Sequence, residues 1–298
     1  MKPELPAPAG LMRHQTGTGA IVYRFVVSLL ILLAGCCAVP AQPVQAKHAK
    51  VELLSHQPPA HPGKGLLLGV HFVLEPGWHI YWINPGDSGQ PPVFKWQLPA
   101  GFSAGEILWP RPNRMQSSPQ MADYGYHDDV LLMVPVHASQ AQSSNAPMEV
   151  GLEAKWLICR EVCIADHAQL HLSLPLPAAP VAKENPASAE LFARTEKLLP
   201  KPLPHGWKAN AESKKDSFVL HIFTHAGERL GQAEFFPLDP GQVDNAARQD
   251  LQLSAQGVKI TLKKSDFLTK PIAVLRGVLV LPGGDAYRIE APVTKSIQ

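Results

Sequence analysis

The sequence predicts an all-β protein, built as tandem β-sandwich domains joined by a short linker helix. Three observations carry that expectation. Apolar and polar residues alternate over many short runs, the period expected where successive side chains point to opposite faces of a pleat. Thirty prolines and 22 glycines punctuate those runs, which suits strands joined by turns and disfavours a helical bundle. One stretch rich in Ala, Pro and charge divides the alternating regions into two sets. The 298 residues, 45% hydrophobic, suffice to bury a core without metals or staples. With 27 basic against 25 acidic side chains there is no basic excess, which argues against nucleic acid as a partner.

Residues 1–46 read as a signal peptide. Lys2, Arg13 and Arg24 precede an apolar run from Phe25 to Val39, broken only by Ser28 and Gly35. At about fifteen residues the run is short of the roughly 20 needed to span a bilayer, which weighs against a retained anchor. Val39-Pro40-Ala41 and Val44-Gln45-Ala46 both fit an ordinary signal-peptidase cut. Leu33-Ala34-Gly35-Cys36 instead fits a lipobox, in which Cys36 would be acylated and tether the chain to a membrane. The ordinary cut is favoured, because Cys37 and two downstream sites make the Cys36 match less decisive. Export removes three basic residues and one acidic (Glu4), leaving 24 of each, and leaves only Cys159 and Cys163 as cysteines.

Residues 47–177 form the first expected sandwich. Leu66, Leu68, Val70, Phe72 and Leu74 share one face of an extended run, as do Val150, Leu152, Ala154 and Trp156, and then Ala168, Leu170, Leu172, Leu174 and Leu176. Residues 178–204 read as a linker with a short helix over Ser188–Leu199. Residues 205–298 read as a second β-sandwich without cysteine. Its clearest strands are Phe218–Phe223, Val258–Leu262 and Ile272–Leu281, and Pro282-Gly283-Gly284-Asp285 makes a hairpin turn. A spacer or docking module is the expected role of this second unit.

Cys159 and Cys163 sit between alternating runs, so they are expected to flank a tight turn and to face each other. Three readings compete. A purely stapling disulfide closing so short a loop would contribute only about 2 kcal/mol by chain entropy. A metal site is the second: Cys159, Cys163 and His167 are spaced by four, would share one helical face, and suit Cu(I) or Zn(II). Against it, Ile158, Val162 and Ile164 are β-branched and the flanks alternate as strands. The third and preferred reading is a redox dithiol with no cofactor, in which the second thiol resolves a mixed disulfide formed by the first. Arg160 would favour a thiolate and Glu161 would oppose it; His167 is a further tuning candidate.

Pro76-Gly77-Trp78-His79-Ile80-Tyr81-Trp82-Ile83-Asn84-Pro85-Gly86-Asp87-Ser88-Gly89, Trp109-Pro110, Tyr124-Gly125-Tyr126 and Trp156 through Cys163 together resemble the N-terminal periplasmic domain of DsbD-type thiol:disulfide interchange proteins. The ScsB-like branch is the nearest in kind, and the second β unit looks like the one that follows this domain there. The resemblance implies an immunoglobulin-like sandwich whose pair, by position Cys159 and Cys163, is reduced by a membrane-embedded domain and then reduces periplasmic thioredoxin-fold partners. It implies that the second cysteine, Cys163, forms the mixed disulfide. It also implies an aromatic cap over the cysteines, for which Tyr124 and Tyr126 are the candidates; their alternative role is core or turn packing. The pair here is spaced Cys-x3-Cys, tighter than in the DsbD branch. The chain ends at Gln298 without membrane helices or a Cys-x-x-C, so the expected electron donor is a membrane thiol reductase on a separate chain. Glycine and aromatic residues in Gly77–Gly89 are read chiefly as strand and turn, with Trp78, Tyr81 and Trp82 packing the sandwich.

Overall fold

The computed structural model describes residues 43–56, 66–138, 147–174, 185–225 and 230–295. Cys36, the apolar run around it, the Val39-Pro40-Ala41 motif, residues 175–177 at the end of the expected first sandwich and residues 178–184 of the expected linker lie outside the described residues. The first strands in chain order are β1 (Val44–Ala46), β2 (Ala49–His56), β3 (Leu67–Leu74), β4 (His79–Gly86), β5 (Val93–Gln97) and β6 (Phe102–Ala104). They are followed by β7 (Asn113–Ser118), β8 (Met121–His127), β9 (Asp129–Ala138), β10 (Met148–Cys159) and β11 (Cys163–Leu174). Helix α1 (Pro186–Leu198) comes next. Beyond it lie β12 (Lys208–Ser213), β13 (Ser217–Phe223), β14 (Glu234–Pro237), β15 (Asp250–Ser254), β16 (Gly257–Lys263), β17 (Val274–Val280) and β18 (Ala286–Lys295). Among the described residues the protein is therefore all-β with one short helix.

Two sheets make the first layer pair. One runs β1-β2-β3-β9-β6; the other runs β11-β10-β4-β8-β7, with β5 added against β10. Alternation decides what lies between them. Val51 and Leu53 of β2, Val70 and Phe72 of β3 and Leu132 of β9 meet Leu152, Ala154, Trp156 and Ile158 of β10 in one buried cluster, the arrangement of two half-buried sheets packed face to face. Val44-Gln45-Ala46, one of the two expected cleavage motifs, forms β1 and pairs with Ala49–Val51. A cut after Ala46 would strip that strand from the sheet edge.

Helix α1 covers the outer face of the first sheet. Asn185 caps it, its side chain accepting from the Ala187 amide, and Pro186 occupies the first turn, where no intrahelical amide is needed. Phe192 is fully buried with Leu131 and Met133. Gly69 makes the approach feasible: a Cβ there would stand 2.8 Å from the Phe192 ring and 2.6 Å from Leu131.

The third sheet is seven-stranded, in the order β14-β17-β18-β12-β13-β16-β15. Its two antiparallel halves meet at a parallel pair, Ala211 opposite Val293. Phe235, Leu275, Leu279 and Ile289 from one half bury with Phe218, Leu220 and Ile260 from the other, so the halves close over a single core. Strand β14 serves two cores at once. Phe235 points into this one, while its neighbour Phe236 points the other way, against Trp82 and Tyr124 with ring centroids 6.4 and 5.3 Å apart. Period two thus lets adjacent residues bind the third sheet to the first layer pair.

Phe236→Ala empties the centre of that aromatic cluster and is expected to cost about 3–5 kcal/mol of unfolding free energy, as for large buried aromatics. Urea titration followed by circular dichroism checks this; a loss below about 1 kcal/mol would mean the junction relaxes to fill the void.

Candidate functional site

Strands β10 and β11 form a continuous antiparallel ladder from Met148 opposite Leu174 to Cys159 opposite Cys163. Trp156 and Ile158 face the core, so Cys159 falls on the outer face of the sheet. Three residues, Arg160 to Val162, close the hairpin, with the Arg160 amide donating to the Val162 carbonyl at 3.2 Å. The sulfurs are joined in a disulfide across the mouth of this hairpin. Its two halves differ sharply in access: Cys159 is 2% exposed, whereas Cys163 is exposed. An incoming thiolate therefore meets Cys163 Sγ first.

Strand β4 lies beside the pair. His79 is opposite both Cys159 and His127 of β8. Two residues on, the Tyr81 hydroxyl stands 3.4 Å from Cys163 Sγ and 3.4 Å from Ser88 Oγ. The Ser88 hydroxyl and amide both donate to Asp123, at 3.0 and 2.8 Å, and Asp123 is buried. The loop carrying Ser88 lies on the Tyr81 ring so closely that a Cβ on Gly89 would come within 2.1 Å of it; Gly89 also has φ +76°. Glycine is required there on both counts. Burial raises the Tyr81 pKa, the Ser88 hydrogen bond opposes this, and the Asp123 charge adds to it. Tyr81 accordingly remains a protonated donor across physiological pH. Burial lowers the His79 pKa, with the Asp123 charge acting against that and His127 with it, so this ring is held neutral beside the disulfide.

Arg160 leaves Cys159 for an aromatic platform. Its guanidinium carbon sits 5.2 Å from the Trp78 ring centroid, and His48 stacks on the same ring at 3.8 Å. The cation is thus held at the hairpin tip by a cation–π contact. Glu161 is exposed on the loop.

Two groups of sequence-predicted residues fall elsewhere. Tyr124 and Tyr126, the candidate shields, point into the core: both are buried, Tyr124 packs edge-on to Trp82, and the Tyr126 hydroxyl donates to the Pro110 carbonyl at 2.8 Å. Burial pushes both phenols up in pKa. The reason is register: Tyr126 opposes the inward Ile80, while Gly125 opposes Tyr81. Tyr81 holds the place next to the sulfurs that those two were expected to fill. The second group is the metal set. Cys159, Cys163 and His167 lie on strands, not on one helical face. His167 is opposite Lys155, four residues along β11 from Cys163 and so about 13 Å away at ~3.3 Å per residue. Among the described residues, no three His, Cys, Asp or Glu side chains cluster as metal ligands would.

Tyr81, Ser88 and Asp123 were missed as site residues. Tyr81 was expected to pack the sandwich beside Trp82; on β4 it takes the face opposite the core-facing Ile80 and Trp82, and no local signal tells that β4 pairs with the end of β10.

Residues 49–175 match the family model described as "Thiol:disulfide interchange protein DsbD, N-terminal". Among solved structures, the chain is similar to the N-terminal periplasmic domain of ScsB from Proteus mirabilis, with 17% identity and a TM-score of 0.62. That match covers 84% of this chain and 94% of the other, and at this identity it speaks to the fold. No curated protein matches the chain. Among the described residues, no helix is long and apolar enough to cross a membrane.

Once the disulfide is reduced, the Tyr81 hydroxyl is placed to donate to a Cys163 thiolate. A hydrogen bond to a charged group is worth about 1.5–3 kcal/mol, so Tyr81→Phe is expected to raise the pH midpoint of Cys163 alkylation by about one unit. At neutral pH the alkylation rate falls roughly tenfold. Iodoacetamide labelling of the Cys159→Ala protein against pH measures it; an unshifted midpoint would show that the hydroxyl makes no bond to the thiolate.

Proposed function

Residues 49–175 of this chain belong to the DsbD N-terminal family, and from that premise we propose that the protein is an exported thiol:disulfide exchange module. It relays electrons through Cys159 and Cys163 from a membrane-embedded thiol reductase to periplasmic thioredoxin-fold proteins. The signal-like residues 1–46 and the periplasmic source of the similar structure support that compartment. The observation that carries the reading is the asymmetry of the pair, one sulfur exposed and the other sealed behind it.

Loading begins when a donor thiolate attacks Cys163 Sγ. The Cys159–Cys163 bond breaks, and Cys159 leaves as a thiolate that takes up a proton. A second donor thiol then displaces Cys163, and the donor departs oxidised. Unloading runs the other way: the Cys163 thiolate attacks a partner disulfide, Cys159 attacks Cys163 Sγ, and the intramolecular bond re-forms as the partner leaves with two thiols. Each cycle moves two electrons and two protons. Tyr81 steadies the charge on Cys163 in both halves, while neutral His79 adds no positive charge beside Cys159.

The single-cysteine variants test the order of events. Cys159→Ala retains the exposed nucleophile but has nothing to resolve the intermediate, so a mixed disulfide with a thioredoxin-fold protein accumulates in periplasmic extracts. Cys163→Ala leaves only the buried thiol and traps at least tenfold less. Non-reducing gels and mass spectrometry read both. Equal trapping would remove the asymmetric mechanism, and none in either variant would remove the relay.

A further inference from the structure

The third sheet was expected to be a spacer or docking unit, yet its polar contacts to the first layer pair gather on Arg114 of β7 and on the short segment that covers Tyr81. Asn245, buried between β14 and β15, donates from Nδ2 to Asp87 Oδ1 at 2.8 Å. The other Asp87 oxygen accepts the Ala122 amide at 2.8 Å, and the Asp87 amide donates to the Ala122 carbonyl at 3.1 Å. Asp87 is thereby fixed from both sides, one residue before Ser88. Asn84, fully buried at the start of the same segment, donates to the Pro237 carbonyl at 2.7 Å and accepts from the Gly86 amide at 3.1 Å. Arg114 on β7 secures the far side of the clamp, bonding the Asn245 carbonyl and, at 2.9 Å, that of Ala247. Gly86, at φ +92°, passes so near Ala122 that a Cβ would stand 2.4 Å from its carbonyl oxygen.

Buried polar groups hold their places only where partners satisfy them, since each unpaired one costs free energy. Here Asn84 and Asp87 each find one partner in the second β unit. Releasing Asp87 would free the segment at the point where Ser88 and Gly89 meet Tyr81. We infer that the third sheet fixes the 84–89 segment over Tyr81, beside the disulfide, with Asn245 as a positioning residue that holds the Tyr81 hydroxyl on Cys163 Sγ. This rests on the exchange function proposed above and gives the second β unit a part in it. The coupling runs Asn245, Asp87, Ser88 and Gly89, Tyr81, Cys163, each link a contact already given.

The experiment is a double-mutant cycle on the reduced full chain. Second-order rates of reaction with a small aromatic disulfide, 5,5′-dithiobis(2-nitrobenzoate), are taken from pH 6 to 10 for wild type, Asn245→Ala, Tyr81→Phe and the pair together. Arg160, Glu161, His79, Asp123 and His127, the charged and titratable groups around the sulfurs, are unchanged throughout. Asn245→Ala is expected to slow the neutral-pH rate about threefold and raise the midpoint, in the same direction as Tyr81→Phe but by less. The double variant matches Tyr81→Phe alone, because the coupling has nothing left to position. The exchanged pair Asp87→Asn with Asn245→Asp re-forms the bond with donor and acceptor reversed and restores the wild-type profile, which also guards against a fold defect in the alanine variant. A wild-type profile for Asn245→Ala, or slowing that multiplies in the double variant, overturns the coupling while leaving the exchange function standing. A wild-type dithiol that reacts with the probe but passes no electrons to any thioredoxin-fold disulfide overturns both.

Discussion

The antiparallel ladder between β10 and β11 dictates where everything else in the site must stand. Side chains on a strand alternate, so a ladder that buries Val150, Leu152, Ala154, Trp156 and Ile158 against the first sheet must put Cys159 on the outer face. A three-residue loop then returns the chain with Cys163 directly opposite. The last core residue, Ile158, and the first cysteine of the disulfide are neighbours in sequence. The disulfide is therefore anchored to a rigid sandwich at one sulfur and open to another protein at the other. A shift of one residue in register would turn Cys159 inward and leave the disulfide with no exposed half.

The same alternation explains how much could be read without coordinates. The all-β class, the strands at Leu66–Leu74, Val150–Trp156 and Phe218–Phe223 and the helix near Ser188–Leu199 were visible because each is a local pattern of burial or capping. The facing of Cys159 and Cys163 was visible too, since strands approach them from both sides. What was not visible depends on contacts between distant segments. Tyr124 and Tyr126 could be assigned to the site only by similarity, and the β4–β8 register sends them to the core. Tyr81 became a site residue because His79 pairs with Cys159 across 80 positions of sequence, a pairing that no local composition encodes. The four-residue spacing of Cys159, Cys163 and His167 suggested a helical metal face; on a strand, residues four apart share a face but stand too far apart to hold one ion.

Strand β14 and the 84–89 segment show how two β units become one working object. Phe235 and Phe236 divide themselves between two cores, which sets the third sheet against Trp82 and Tyr124. Apolar packing of this kind supplies most of the stabilisation but little directional control. Directional control comes from Asn84, Asp87 and Asn245, whose hydrogen bonds specify where the covering segment lies. The disulfide lies on the opposite side of β4 from that aromatic junction, so Trp82 and Tyr81, adjacent in sequence, face the core and the disulfide respectively.

The most direct test of the account is whether the Cys159–Cys163 disulfide equilibrates with a thiol buffer while the protein remains folded. Oxidised protein is incubated in graded mixtures of reduced and oxidised glutathione or thioredoxin, quenched with an alkylating agent and weighed by mass spectrometry, with circular dichroism taken in parallel. The account predicts reversible interconversion between a species with no alkylated thiol and one with two, at Cys159 and Cys163, with the strand signal unchanged. A disulfide that stays closed until urea unfolds the sandwich would contradict it and leave the pair as a staple.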